Sequence, residues 1–224
     1  MEGGYESSLM ALMKPIRIAV ADDHAILRDG LCQILMTNPG IEVIAQVQTG
    51  AEAIRLAEDP TLDCLLLDIS LPDRSGIDVI KAIRRDNKKL PILILSMHPE
   101  DQYAIRALKA GASGYVNKAA STKELLTAIR QVASNIKFIS PVVAELLADR
   151  IGEVDHEEPH TLLSDREYQF LVKVASGMTV TEIADEMALS VKTVSMYRTR
   201  ALKKMNMKTN AELTHYAIKN SLVG

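Results

Sequence analysis

The chain has 224 residues, is 47% hydrophobic and 25% charged, and carries a formal net charge of −3, with no Trp and two Cys. That length suits one or two domains with well-formed cores. Cys32 and Cys64 sit in apolar patterns without zinc-ligand spacing, which points to plain buried thiols in a reduced, cytosolic setting, and no apolar run reaches the roughly 18 residues of a membrane span.

Residues 1–14 start acidic, carry a short apolar patch unlike a secretory signal, and read as a loose extension. Ile16–Ala21 is an apolar run closed by Asp22-Asp23-His24. Ile26, Leu27, Leu31, Ile34 and Leu35 then recur at helical spacing until Asn38-Pro39-Gly40 breaks the pattern. Ile41–Val47 reads as a second strand and residues 51–58 as a helix stopped by Pro60. Cys64–Asp68 is a third strand, apolar enough to be covered on both faces, and residues 76–85 form a helix with Ile77, Ile80 and Ile83 on one side. Residues 91–95 give a fourth strand. His98-Pro99-Glu100 starts a helix that ends at Ala110 and Gly111. Gly114–Asn117 is a fifth strand, and Ser121 and Glu124 have capping-box spacing before a helix with Leu125, Ile129 and Val132 inside. Strands alternating with helices call for a doubly wound five-stranded parallel sheet, an α/β layout for which the flavodoxin-like order 2-1-3-4-5 is a common solution.

Residues 141–150 form a short helix after Ser140, and residues 152–160 (GEVDHEEPH) are an acidic linker. Beyond them the charge changes sign: residues 161–224 hold nine Lys+Arg against six Asp+Glu, a local +3, which leaves −6 for residues 1–160. Further capping-box spacings at Ser164/Glu167, Thr179/Glu182 and Thr209/Glu212, with Ser190 as another cap and Gly177 as a stop, mark four helices near 165–175, 180–188, 191–205 and 210–220. Their short connections match a helix-turn-helix.

In that register Asp22, Asp23, Asp68, Ser96 and Lys118 all fall at carboxyl ends of strands, where open α/β sheets keep their ligands. Any one alone has a plain structural reading: Asp22 and Asp23 as caps, Asp68 or Ser96 as a turn former, Lys118 as a surface charge. Together, three carboxylates are costly unless a cation shares the site, and such oxygen donors suit Mg²⁺. Asp68 is then placed to be a nucleophile toward a phosphoryl group, with Lys118 and Ser96 facing its oxygens.

On the helix from Val191, Val194, Ala201 and Met205 share the inner side with Leu202 at its edge. Lys192, Met196, Thr199 and Lys203 project opposite, flanked by Ser195 and Arg200. That face fits a major groove, with Lys192, Arg200 and Lys203 toward phosphates and Ser195, Met196 and Thr199 toward base edges. The alternative is the solvated face of a docking bundle.

The Asp-Asp pair, DISLPDRSG around Asp68, Ser96, and Tyr115 ahead of Lys118 resemble the receiver domain of two-component response regulators. The run LSDREYQFL…SGMTVTEIADEMALSVKTVSMYRTRALKKMNM resembles the LuxR-type helix-turn-helix of the NarL/FixJ group. The resemblance implies Asp68 as phosphoacceptor, Asp23 and the Ser70 backbone carbonyl as Mg²⁺ ligands, and Asp22 holding a metal-bound water. It further implies Ser96 and Tyr115 as a switch pair and Lys118 as phosphoryl clamp. Its expected division is an extension over 1–14, a receiver over 15–135, a linker with a short helix over 136–160 and a DNA-binding domain over 161–224. The implied function is that of a phosphorylation-dependent transcription regulator rather than an enzyme. Its partners would be a sensor histidine kinase or phosphotransfer protein and double-stranded promoter DNA. A homodimer would form with the last helix, through Ala211, Leu213 and Ala217. Receivers commonly carry Pro after the lysine, whereas Ala119 stands here.

Overall fold

The computed structural model describes residues 14–98, 100–151 and 158–223, apart from the side chains of 101, 102 and 149–151. The expected extension (Lys14 excepted), Pro99 at the head of its helix, and linker residues 152–157 lie outside the described residues. The chain forms two compact units that divide in sequence between Ala144 and Glu145.

The first unit runs β1(Ile16–Ala21), α1(Ala25–Met36), β2(Ile41–Val47), α2(Gly50–Leu56), β3(Cys64–Asp68), α3(Gly76–Asp86), β4(Ile92–Ser96), α4(Glu100–Ala110), β5(Gly114–Asn117) and α5(Thr122–Ala133). Its five strands pair in parallel in the order β2-β1-β3-β4-β5. All five residues of β3 and of β4 are buried, as expected of central strands covered on both faces. Ile18, Val20, Cys64, Leu66, Leu93 and Leu95 turn one way and pack with Cys32 and Leu35 of α1 and Ile129 and Val132 of α5. Leu65, Leu67, Ile92 and Ile94 alternate to the other face. Each large apolar side chain buried in this way contributes about 1.5–3 kcal/mol. Both cysteines are buried free thiols; burial is the first cause of the rise at each, and at Cys64, with Asp63 adding to it, pushes the thiol up to about 12.

Helix starts follow their caps. Ser121 Oγ accepts from Glu124 N, its half of the expected box. Thr49 and Glu52 make a full reciprocal box, so α2 begins at Gly50, one residue ahead of the sequence-based start. After α5 the backbone stays attached to the sheet: Phe138 N donates to Ser113 O at 2.9 Å and bridges Gly114 in parallel. Ser140 Oγ bonds the Glu100 carboxylate and accepts from Val143 N at 3.3 Å, capping α6(Pro141–Ile151).

The second unit comprises a 3-10 turn (Pro159–Leu162), α7(Asp165–Ala175), α8(Val180–Glu186), α9(Val191–Lys204) and α10(Asn210–Lys219). Full capping boxes open α7 and α8, and Gly177 at φ +92° closes α7 with Met178 N on Lys173 O at 3.2 Å. Phe170, Leu171, Ile183, Val194, Ala201, Leu213 and Ala217 fill the core. The suggested pairing seam therefore needs correction: Leu213 and Ala217 are fully buried within the unit, and of the three residues only Ala211 is exposed. Helical periodicity cannot separate a core face from an interface face when both are apolar. His160, in the stretch read as linker, is buried with Nδ1 3.0 Å from the Tyr216 hydroxyl, beside the Tyr168 ring. A single anchoring side chain in a polar run leaves no periodic signal. Among the described residues, no helix is long and apolar enough to cross a membrane.

Candidate functional site

The ends of β1, β3 and β5 bring Asp22, Asp23, Asp68 and Lys118 together. Lys118 Nζ bridges Asp22 Oδ2 at 2.7 Å and Asp68 Oδ2 at 2.9 Å across separations of 96 and 50 residues. Asp22 and Asp68 are 3% and 4% exposed, a placement that is expensive for carboxylates without charged partners. Neither acid of the Asp-Asp pair caps α1. His24 occupies the N-cap without a side-chain bond, and Asp22 Oδ1 accepts from His24 N at 2.9 Å. Arg28, buried on α1, holds the turn by donating Nη1 to Asp22 O at 2.7 Å, a role that its place in the helical pattern did not signal.

Burial pushes the Asp68 carboxyl above the usual range; Lys118 opposes this and Asp22 adds to it. Burial alone would lower Lys118, but the facing Asp68 and Asp22 outweigh it and hold the ammonium above its ordinary value, so it stays charged. Three carboxylates against one ammonium leave two negative charges, which a divalent cation matches. Asp23 Oδ1 is buried without a hydrogen bond, although His24 Nδ1 stands 2.9 Å away. Donor atoms of Asp22, Asp23, His24 and Asp68 all lie within 4.8 Å of one another. The oxygen donors fit Mg²⁺. His24 was not foreseen in this cluster, and its adjacency to the pair was the available signal.

The loop after Asp68 is fixed on three sides. Ser70 bridges Ser75 in antiparallel fashion, Gly76 N donates to Ile69 O at 2.8 Å, and Ser75 caps α3. The Ser70 N–H also supports the Asp68 carboxylate. Asp73 reaches across to the start of α2, accepting from Gly50 N at 2.7 Å and Ala51 N at 3.0 Å. Gly76 passes so close to β3 that a methyl group there would overlap the Asp68 carbonyl oxygen and lie 2.9 Å from Ile69 Cα.

Ser96 is fully buried at the end of β4, and its Oγ accepts from His98 N at 3.1 Å. The Tyr115 hydroxyl, on a ring 2% exposed, donates to His98 O at 2.9 Å. The two residues expected to form a switch thus hold the same residue, His98, one by its N–H and the other by its C=O. The described residues contain no cis peptide, so Lys118-Ala119 is trans, and Ala119 N donates to Asn117 Oδ1 at 2.8 Å.

In the second unit, Lys192, Ser195, Met196, Thr199, Arg200 and Lys203 are all exposed on α9, while Val194, Ala201, Leu202 and Met205 are buried beneath them. Lys204 is tied inward instead, with Nζ 2.6 Å from the buried Glu167 carboxylate at the start of α7.

A family model described as "Response regulator receiver domain" matches residues 18–130, and one described as "Bacterial regulatory proteins, luxR family" matches residues 161–217. The chain is 34% identical over 208 residues to response regulator UvrY of Escherichia coli (strain K12), covering 92% of this chain and 95% of the relative. It is 32% identical over 209 residues to response regulator GacA of Pseudomonas aeruginosa, covering 93% and 98%. Among solved structures it resembles RcsB from Salmonella enterica serovar Typhimurium bound to promoter rprA in the presence of the phosphomimetic BeF3−. That likeness has TM-score 0.61 and 25% identity, and covers 91% of this chain and 98% of the other.

Proposed function

The chain belongs to the response regulators that join a receiver domain to a LuxR-type helix-turn-helix, and from that premise we propose that it is a DNA-binding transcription regulator switched by phosphorylation of Asp68. The observation that carries this reading is the Lys118 ammonium shared between buried Asp22 and Asp68 at the strand ends. An Asp68 carboxylate oxygen forms the new bond to phosphorus as the bond from phosphorus to the donor's histidine nitrogen breaks, and the electron pair leaves with that nitrogen. Lys118 places positive charge against the phosphoryl oxygens. Asp23, Asp68 and the Ser70 carbonyl would hold a Mg²⁺ directly and Asp22 through a water, and such an ion would supply the remaining charge neutralisation. Ser96 and Tyr115 then convert a change at Asp68 into a change at His98, because both hold that residue's backbone.

The division we assign is an extension over 1–14, a receiver over 15–135, a linker over 136–160 and a DNA-binding domain over 161–224. Its partners are a histidine kinase or phosphotransfer protein, promoter DNA, and a second copy of the chain on DNA. RcsB has been captured as "two RcsB dimers bound to two parallel DNAs", which supports the last of these. Ser70 stands two residues after Asp68, where aspartyl-phosphate hydrolases place an acid, so we read the site as a switch rather than an enzyme centre.

The deciding experiment treats the full chain with acetyl phosphate and Mg²⁺. Asp68→Asn should form no acid-stable, hydroxylamine-labile phosphoprotein, and phosphorylated wild type should bind duplex DNA more tightly than unphosphorylated protein. Persistent labelling of Asp68→Asn refutes the phosphoacceptor assignment.

A further inference from the structure

Asn117 ends β5, directly before Lys118, and lies opposite Ser96 in the sheet register. Its side-chain amide is used at both ends. Oδ1 accepts from Ala119 N at 2.8 Å, which spans Lys118, and Nδ2 donates to His98 O at 3.2 Å. That oxygen is the one the Tyr115 hydroxyl also uses. Exchanging the amide's oxygen and nitrogen would set donor against donor and acceptor against acceptor, so the hydrogen bonds fix its orientation. The adjoining backbone is closed as well, with Lys118 N on Ser96 O at 2.8 Å and Ala120 N on Asn117 O at 2.9 Å.

An asparagine that accepts from the N–H two residues on makes an Asx turn, a local substitute for a backbone turn. It requires an N–H at that point, which Ala119 has and a proline lacks. The lysine stem has four rotatable carbons and does not place its own ammonium, so the contacts to Asp22 and Asp68 depend on where the corner sets its Cα. A displacement of about 1 Å at a reacting group can cost roughly a hundredfold in rate.

We propose that Asn117 is a positioning residue that aims the Lys118 ammonium at Asp68 and ties that aim to the His98 segment between Ser96 and α4. One rigid amide makes both bonds, so the Lys118 corner cannot shift without stretching the hold on His98 O, or the reverse. Tyr115 and Asn117 together make His98 O the point where the clamp side and the switch side of the site meet. The proposal rests on reading Lys118 as the phosphoryl clamp.

The test uses the full chain with acetyl phosphate as donor. Asn117→Ala removes both bonds and should slow phosphorylation about tenfold at saturating donor and Mg²⁺, with the Mg²⁺ midpoint unchanged. Asn117→Ser keeps an oxygen able to accept from Ala119 N but too short to reach His98 O, so it should recover most of the rate. In wild type, BeF3− should move the His98 amide resonance; in Asn117→Ser that movement should fall by about a third, because the Asn117 hold on His98 O is lost while those of Ser96 and Tyr115 stay. A rate for Asn117→Ala within about twofold of wild type overturns the proposal. So does a loss that Asn117→Ser shares in full, or one explained by a shifted Mg²⁺ midpoint. A full-sized His98 movement in Asn117→Ser overturns the coupling, and that measurement stands even if the alanine variant does not fold. Lys118→Ala separates the two levels: an undiminished rate there sinks the clamp reading itself, whatever Asn117 does.

Discussion

Gly76→Ala and Gly30→Ala are the same chemical change in one domain, and the structure predicts opposite signs for them. Gly30 lies inside α1 with nothing within 4 Å of where a methyl would stand. Alanine there should stabilise by about 0.5–1 kcal/mol through reduced chain entropy and better helix propensity. Gly76 is the first residue of α3, where propensity counts for less, and its methyl would overlap the Asp68 carbonyl oxygen with Ile69 Cα at 2.9 Å. Both obstacles are backbone atoms of a central, fully buried strand end, so no side chain can rotate away. Overpacking of this kind costs about 1–3 kcal/mol, which exceeds any propensity gain. At about 4 °C per kcal/mol, the melting temperature of the receiver should fall by roughly 4–12 °C for Gly76→Ala and rise by a few degrees for Gly30→Ala. Relief of the overlap moves the Asp68-Ile69 peptide, so phosphorylation by acetyl phosphate should also slow in Gly76→Ala and stay unchanged in Gly30→Ala. Thermal melts monitored by circular dichroism, with phosphorylation rates on the same samples, decide it. If Gly76→Ala melts at or above wild type with a normal rate, the close approach does not constrain the site.

Glu167 is held below the ordinary glutamate value of 4.5: burial works to raise it, and Lys204 together with the Ser164 bonds outweighs burial. A depressed carboxylate adds stability that is complete above about pH 4.5 and is lost as pH falls through the lower folded value, so Glu167→Gln should flatten the acid side of the second unit's stability profile. An acid limb unchanged in the variant contradicts this. Asp73→Ala removes both acceptors at the start of α2 and should cost about 1–2 kcal/mol, seen as faster exchange of the Gly50 and Ala51 amides; unchanged exchange rules out the latch. For DNA, Arg200→Ala or Lys203→Ala should each lower the salt dependence of binding by about one unit on every sequence, whereas Thr199→Ala should change sequence preference more than non-specific affinity. Equal losses on all sequences for Thr199→Ala would remove it from base reading.

Much of the receiver was legible because its signals are local and redundant. Three leucines ahead of Asp68 suit a doubly covered strand, and parallel strands joined by helices leave few topologies. The convergence of Asp22, Asp68 and Lys118 followed from placing each at a strand end. The site's supports were not legible, since they are single contacts over separations of 6 to 23 residues that carry no periodicity. Asp73 on the start of α2, Arg28 on Asp22 O and Asn117 on His98 O are examples. In the second unit, capping-box spacing located the helices, but an apolar residue on the last helix could not be assigned to core or partner from its pattern. Leu213 and Ala217 went to the core. His160 left no trace at all, being one buried ring in an acidic run.

The two interior cysteines have a practical meaning for spectroscopy. Cys32 and Cys64 are 1% and 0% exposed, and burial holds the Cys64 thiol at about 12, far from the thiolate that alkylating dyes require. The native chain is therefore nearly silent toward maleimide reagents while folded. A cysteine introduced at an exposed position such as Thr199 would take a fluorophore or spin label without stripping the protein of its own thiols. The absence of Trp leaves the optical background equally clear. A single Trp placed at Tyr115 would report the burial of that ring as the only indole in the molecule.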